Sequence, residues 1–207
     1  MTEPQPAIVL ASASPRRQEL LKSIGIQFQV IPSHVDEIVH AGETPTNLVL
    51  RLSEEKATEV AQRSDIEGRW FIGSDTIVVC AGQILGKPTS PQDSACMLRQ
   101  LSGRSHQVLS GYTIIDRTDN IRLRRCVTTE VTFRALTDRE IDGYIASGEP
   151  ADKAGSYAIQ GLGSYIVTSI NGSYTNVVGL PLAQVVTDLQ QLGAIELFGH
   201  TQDLTLQ

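Results

Sequence analysis

The chain has 207 residues, of which 41% are hydrophobic and 19% charged, enough for one large domain with a core and too apolar for a disordered chain. Its net charge of -6 repels polymeric nucleic acid and anionic lipid, while still allowing a locally basic pocket for a small anion. The opening MTEPQPAIVLASASPRR lacks the form of a secretory signal, and every apolar run is far shorter than a membrane span, so a cytoplasmic protein is expected.

Taken in chain order, residues 7–10 read as a short buried strand. Ser14 is a natural N-cap, and Pro15 suits the first position of a helix that stops at Gly25. Residues 26–31 read as a second strand, closed by Pro32. A polar stretch with adjacent Asp36 and Glu37 leads to a helix over about residues 45–62. Residues 69–80 are strongly β-prone, with residues 82–87 as the hairpin partner. Ser90 caps the next helix with Asp93 at N3. Two long strands, 106–116 and 121–135, flank the turn at residues 118–120. Thr137 and Glu140 form a capping box for a helix ending at Gly148. A Gly-rich segment over 151–163 precedes a strand, an Asn171-Gly172 turn, a second strand and a helix over 181–192. Strands and helices intermix without strict alternation, which predicts an α/β fold with a mixed sheet. One domain over residues 1–198 and a polar tail over 199–207 are expected.

Four features break the local rules. Arg16 and Arg17 fall in the first turn of a helix, where the dipole is already positive. Either both point into solvent, or an anion sits there among backbone N–H groups and the hydroxyls of Ser12 and Ser14. Lys56 replaces an apolar residue on the helix stripe Val49, Leu52, Val60. It either snorkels along the core edge or reaches into a cleft. Asp75 lies within Gly73-Ser74-Asp75-Thr76, in the middle of an apolar strand. A carboxylate there costs several kcal/mol unless paired or metal-bound. A turn between two strands is the alternative, but the apolar flanks favour a metal ligand or general base. Lys87 ends the hairpin strand, either solvated or close to Asp75. The loop with Lys153 and Gln160 is either a plain connector or a segment that approaches a flat ligand with a charge and an amide.

Other residues carry less. Cys80, Cys96 and Cys126 are an odd number without CxxC, so free packing thiols are expected. The histidines show no ligand spacing, so no structural zinc is expected. Arg122, Arg124 and Arg125 read as solvated strand residues. Neither a P-loop nor a dinucleotide fingerprint occurs.

The segment Leu10-Ala11-Ser12-Ala13-Ser14-Pro15-Arg16-Arg17 with Glu19-Leu20-Leu21 resembles the opening signature of the Maf family of nucleoside triphosphate pyrophosphatases. The likeness continues in order through Asp36-Glu37, Glu55-Lys56-Ala57, Gly73-Ser74-Asp75-Thr76, Leu85-Gly86-Lys87-Pro88, Leu101-Ser102-Gly103, Asp152-Lys153-Ala154-Gly155, Asn171-Gly172-Ser173-Tyr174 and Val178-Gly179-Leu180-Pro181. Gly86 and Ser164 depart from residues common in the family, and neither touches the expected chemistry.

The resemblance implies a long mixed sheet flanked by helices around a central cleft, similar to the inosine triphosphatase group. It implies hydrolysis between the α and β phosphates with Mg²⁺ or Mn²⁺, in a cytoplasmic homodimer. The position of Asp75 is that of the proton acceptor, and Arg16, Thr76 and Gln160 are associated with substrate choice. The Lys153 and Gln160 form of the loop resembles the dTTP and UTP branch rather than the 7-methyl-GTP branch. Joined to the local reading, this gives a triphosphate held by residues Ser12, Ser14, Arg16, Arg17, Lys56 and Lys87, with Thr76, Lys153 and Gln160 as further substrate-binding residues. Asp75 and Glu37 hold the metal. A nucleotide-binding regulator of cell division without turnover, a 7-methyl-GTP-type pyrophosphatase, and a structural domain with an incidental phosphate site remain as alternatives. Clearance of modified nucleotides and control of septation both fit as purposes.

Overall fold

The computed structural model describes residues 7–198. In chain order it contains β1 (Ile8–Leu10), α1 (Pro15–Ser23), β2 (Gln29–Val30), α2 (Pro45–Ala61), β3 (Trp70–Cys80), β4 (Gln83–Leu85) and α3 (Pro91–Leu101). Then follow β5 (Ser105–Asp116), β6 (Ile121–Phe133), α4 (Asp138–Ala146), β7 (Val167–Asn171), α5 (Tyr174–Val178) and α6 (Leu182–Gln191). Two 3₁₀ turns, Ala154–Ser156 and Gly161–Tyr165, occupy the Gly-rich segment.

The seven strands form one mixed sheet in the order β2-β1-β3-β5-β6-β7, with β4 beside β3. β1 is parallel to β2 and β3, and the remaining pairs are antiparallel. This is the mixed α/β sheet expected from the sequence.

Residue alternation along β3 and β5 sorts the core onto two faces. Phe71, Ile77, Leu109 and Ile115 share one face with the buried side of α2. On the other face, Ile72, Tyr112 and Ile114 pack beneath α1 and α6, while Val78 and Val108 pack beneath α3 and α4. Between those two apolar clusters lies a polar step of Ser74, Thr76 and Ser110. One edge of β3 is paired with β1 only at residues 70–72 and with β4 only at 78–80. Among the described residues no strand pairs with residues 73–77 on that side, so they present a bare strand edge that includes Ser74 and Thr76 of the polar step.

Most of the predicted elements form, with some differences. The strand expected over 26–31 shrinks to Gln29–Val30, because its partner β1 is three residues long and Ile26 turns into the core. The strand expected after Asn171-Gly172 is a helix, α5, capped where the Ser173 hydroxyl accepts from the Asn176 N–H at 3.2 Å. Buried Asn176 then donates to the Val108 carbonyl at 3.1 Å and Thr129 Oγ1 at 3.0 Å, which pins α5 to the sheet. Ser14 occupies the N-cap position of α1, yet its side chain makes no capping bond. The caps Ser90 and Thr137–Glu140 form as predicted. Arg125 is half-exposed but paired: it donates to buried Asp188 at 2.7 Å, which also accepts from the Tyr112 hydroxyl at 2.5 Å. Cys96 is exposed rather than packed, while Cys80 is buried. The expected tail over 199–207 lies outside the described residues.

Candidate active site

A cleft of about 390 Å³ opens at the bare edge of β3. All the residues singled out in the sequence line it: Ser12, Ser14, Arg16, Arg17, Glu37, Lys56, Asp75, Thr76, Lys87, Lys153 and Gln160.

Gly73-Ser74-Asp75-Thr76 is continuous strand, so no turn interrupts β3. Asp75 faces α2 directly opposite Gly111. Two glycines explain how α2 comes so close. A Cβ at Gly73 would lie 2.2 Å from the Ser53 carbonyl oxygen, and one at Gly111 would lie 2.2 Å from that of Val49. The missing side chains let the α2 backbone settle onto the sheet, where Ser53 and Thr113 share a buried 2.9 Å hydrogen bond. One helical turn further on, Lys56 reaches Asp75.

Lys56 is 7% exposed and does not snorkel. Its Nζ donates to Asp75 Oδ1 at 2.7 Å and to Glu37 Oε1 at 2.6 Å. Lys87 approaches the other Glu37 oxygen at 3.3 Å rather than Asp75. Burial pushes the Glu37 carboxyl up, but the charges and hydrogen bonds of Lys56 and Lys87 outweigh it, and the net shift is downward. Glu37 arrives on the irregular segment before α2. Arg51 anchors that segment by donating to both Glu43 oxygens at 2.7 Å and to the Ile38 carbonyl at 2.8 Å.

Arg17 turns inward. Its Nε donates to the Gly179 carbonyl at 2.8 Å, and NH1 donates to Ser12 Oγ at 3.0 Å and to the Ser74 carbonyl at 2.8 Å. NH2 donates to Thr76 Oγ1 at 3.1 Å. Arg17 thus satisfies a carbonyl on the bare strand edge and ties together β3, the start of α1 and the end of α5. Burial lowers its pKa, opposed by Asp75 and Glu37 and assisted by Arg16. A guanidinium remains charged at neutral pH regardless. Arg16, its neighbour, has no hydrogen bond or ion pair to the described residues and lines the open cleft. Ser12 Oγ also accepts from the Ser14 N–H at 3.2 Å, which shapes the turn before α1.

The other wall comes from the Gly-rich segment. Lys153 donates to the Glu149 carbonyl at 2.8 Å and pairs with Asp152 at 2.5 Å. Gln160 lines the cleft and makes no hydrogen bond with the described protein. Tyr157 stands between them, and its hydroxyl meets His106 Nε2 at 2.8 Å behind the wall. Burial pulls the His106 pKa down to about 4, so the imidazole is neutral.

The sequence carries no local sign of several contributors. Val78, Val108, Tyr157, Val177 and Val178 make one part of the cleft apolar. Gly179 contributes a carbonyl rather than a side chain, so only the family likeness at Val178-Gly179-Leu180-Pro181 marks it. Arg51 had a signal in its spacing from Glu55, four residues on, with which it forms an ion pair.

Charge is unevenly shared. The chain as a whole is at -6, yet five basic residues and three carboxylates line the cleft. Each of those carboxylates is paired with a lysine. The arrangement is a basic pocket on an acidic protein, suited to a small polyanion. For a divalent cation, Asp75 and Glu37 are the two carboxylates brought together, Asp152 being paired with Lys153, and both already flank a cation, the Lys56 ammonium. Among the described residues no group of three or more His, Cys, Asp or Glu could hold a metal. Two carboxylates fit Mg²⁺ or Mn²⁺ whose remaining ligands are phosphate and water. No helix among the described residues is long and apolar enough to cross a membrane.

The family profile described as Maf-like protein matches residues 7–192. A protein named dTTP/UTP pyrophosphatase from Syntrophotalea carbinolica is 57% identical over 197 residues, covering 95% of this chain and 90% of its own length. One of the same name from Geobacter sulfurreducens is 54% identical over 188 residues, covering 91% and 97%. A solved nucleoside-triphosphatase (dITP/XTP pyrophosphatase) from Mycobacterium abscessus covers 90% of this chain and 96% of its own, at 12% identity and a TM-score of 0.40. That last likeness is too low to carry an argument.

Proposed function

The chain belongs to the Maf family, and from that premise we propose that it hydrolyses dTTP and UTP to the monophosphate and pyrophosphate. The observation that carries this reading is the cleft's excess of basic groups around a buried aspartate at the bare edge of β3. The names of the relatives supply the two nucleotides.

In this reading the triphosphate lies along the charged part of the cleft. Arg16 and Lys87 grip its oxygens, helped by the Ser12–Ser14 turn and by Lys153. Arg17 fixes the floor and adds its positive charge. These groups stabilise the negative charge that develops on the leaving pyrophosphate. The base lies against the valines and Tyr157, where the Gln160 amide both donates and accepts. Thr76 shapes the floor beneath it through Arg17 and Gly179.

A water attacks the α phosphorus, and the bond from that phosphorus to the bridging oxygen breaks. Asp75 takes the proton of the attacking water. In the ligand-free protein Lys56 holds Asp75 by Oδ1 and leaves Oδ2 without a hydrogen bond from the described protein. Mg²⁺ or Mn²⁺, held by Asp75 and Glu37 together with phosphate oxygens, would supply charge neutralisation on the triphosphate. Family membership is also the support for a cytoplasmic homodimer that clears modified pyrimidine nucleotides.

The test is pyrophosphate release with Mg²⁺ or Mn²⁺ across dTTP, UTP, CTP, ATP, GTP and 7-methyl-GTP. Preference for dTTP and UTP supports the reading. Turnover of 7-methyl-GTP instead would overturn the role of Gln160 and Lys153. No turnover in folded protein would favour a regulator that binds nucleotide without hydrolysing it.

A further inference from the structure

The geometry points to Lys56 as a built-in cation that holds the place between Glu37 and Asp75 until the nucleotide arrives, so that the protein alone binds divalent metal weakly. This inference rests on the proposed function, because it concerns the metal that such a reaction uses.

Lys56 Nζ lies 2.6 Å from Glu37 Oε1 and 2.7 Å from Asp75 Oδ1, and its side chain is almost fully buried. Such short charge-assisted contacts are strong where water is scarce. Lys87 takes up the second Glu37 oxygen. Two ammonium groups thus face two carboxylates, and Arg17 adds its charge close by. A dication entering this cluster meets no surplus of negative charge. It must also displace a buried ammonium already held by both carboxylates.

A triphosphate reverses that balance. Its oxygens give Lys56 a new acceptor and bring the missing negative charge. The metal therefore comes in with the nucleotide rather than ahead of it. Lys56 then has two successive partners, the carboxylates in the resting protein and phosphate in the loaded one.

An ordinary phosphate-binding lysine and this one make opposite predictions for metal binding in the absence of nucleotide. The experiment is a Mn²⁺ titration of the full chain without nucleotide, with free Mn²⁺ followed by electron paramagnetic resonance. Lys56→Met and Lys56→Gln are compared with wild type, with thermal melts to verify folding. Lys56→Arg keeps the charge and serves as the control.

Wild type and Lys56→Arg should bind weakly. At least one of the two neutral variants should bind at least about tenfold more tightly, as expected when a close charge competitor is removed. Adding Asp75→Asn should abolish the gain. Equal weak binding in wild type and both neutral variants would overturn the inference, as would a gain that survives Asp75→Asn. Because no nucleotide is present, these results stand apart from the pyrophosphate assay, whose failure would instead remove the proposed function.

Discussion

Lys56 of α2 and Asp75 of β3 meet through a 2.7 Å ion pair that two distant glycines make possible. Gly73 and Gly111 carry no side chain where the α2 backbone touches the sheet. The helix therefore lies close enough for a lysine on its buried stripe to reach an aspartate on the strand beneath. A charged residue on the core side of a helix and another in an apolar strand are each unfavourable alone, and pairing offsets part of the cost of burying them.

Gly73→Ala should disrupt this relationship. Its Cβ would meet the Ser53 carbonyl at 2.2 Å and the Ala57 N–H nitrogen at 2.6 Å, both backbone atoms. Overpacking of this kind costs about 1–3 kcal/mol. Urea denaturation should show that loss, and pyrophosphate release should fall because α2 carries Lys56 away from the cleft. A variant of unchanged stability and turnover would show that α2 docks without these contacts.

The two neighbouring arginines should behave differently. Arg17→Ala leaves the Ser74 and Gly179 carbonyls without their guanidinium donor and should destabilise the fold by on the order of 3 kcal/mol. Arg16→Ala removes no hydrogen bond or ion pair to the described protein and should change stability by less than about 0.5 kcal/mol. Its effect should instead be a KM for triphosphate raised about 10- to 100-fold, the worth of a charge-assisted hydrogen bond. Thermal melts and steady-state kinetics on both variants separate the two roles.

Arg51 should matter to turnover although it does not line the cleft. It fixes the segment that delivers Glu37, through Glu43 and the Ile38 carbonyl. Arg51→Ala should lower kcat/KM by about 10- to 100-fold by misplacing Glu37, and Arg51→Lys should restore part of it. The hydrogen bonds of Arg51 hold Glu43 down at about 2, against an ordinary value of 4.5. A lowered acid pKa stabilises the fold above 4.5, and that contribution is lost as pH falls through about 2. The stability gap between wild type and Arg51→Ala should therefore narrow across that window in acid denaturation.

Much of this site was legible because its residues violate local patterns. Asp75 interrupts an apolar strand, Lys56 interrupts an apolar helix stripe, and Arg16 with Arg17 opposes a helix dipole. Each anomaly proved to lie in one cleft. What the patterns did not reveal is which acceptors each charge finds. Arg17 looked like half of an anion cradle and is mostly occupied by the Ser74 and Gly179 carbonyls, contacts that depend on tertiary packing. Asn171-Gly172 read as a hairpin turn, but Ser173 caps a helix and buried Asn176 holds it to the sheet. Gly111 was silent, since a glycine in a strand does not reveal which backbone approaches it.

His106 should give the wall behind Tyr157 a pH dependence. Its pKa of about 4 in the fold, against 6.5 ordinarily, results from burial. The unfolded chain binds the proton more readily, so stability is full above 6.5 and falls as pH drops through about 4. The loss should reach on the order of 3 kcal/mol below that point. His106→Gln retains a group that can hydrogen-bond to Tyr157 and should flatten the slope between those values. An unchanged slope in urea melts would mean that other groups carry it.

The most direct test is product analysis of dTTP and UTP incubated with wild type and with Asp75→Asn, read by chromatography of nucleotides together with pyrophosphate and orthophosphate. Wild type should yield the monophosphate and pyrophosphate in equal amounts. Asp75→Asn should remain folded, with kcat reduced by about 10²- to 10⁴-fold. Release of orthophosphate and a nucleoside diphosphate, or near-normal turnover by Asp75→Asn, would contradict the account.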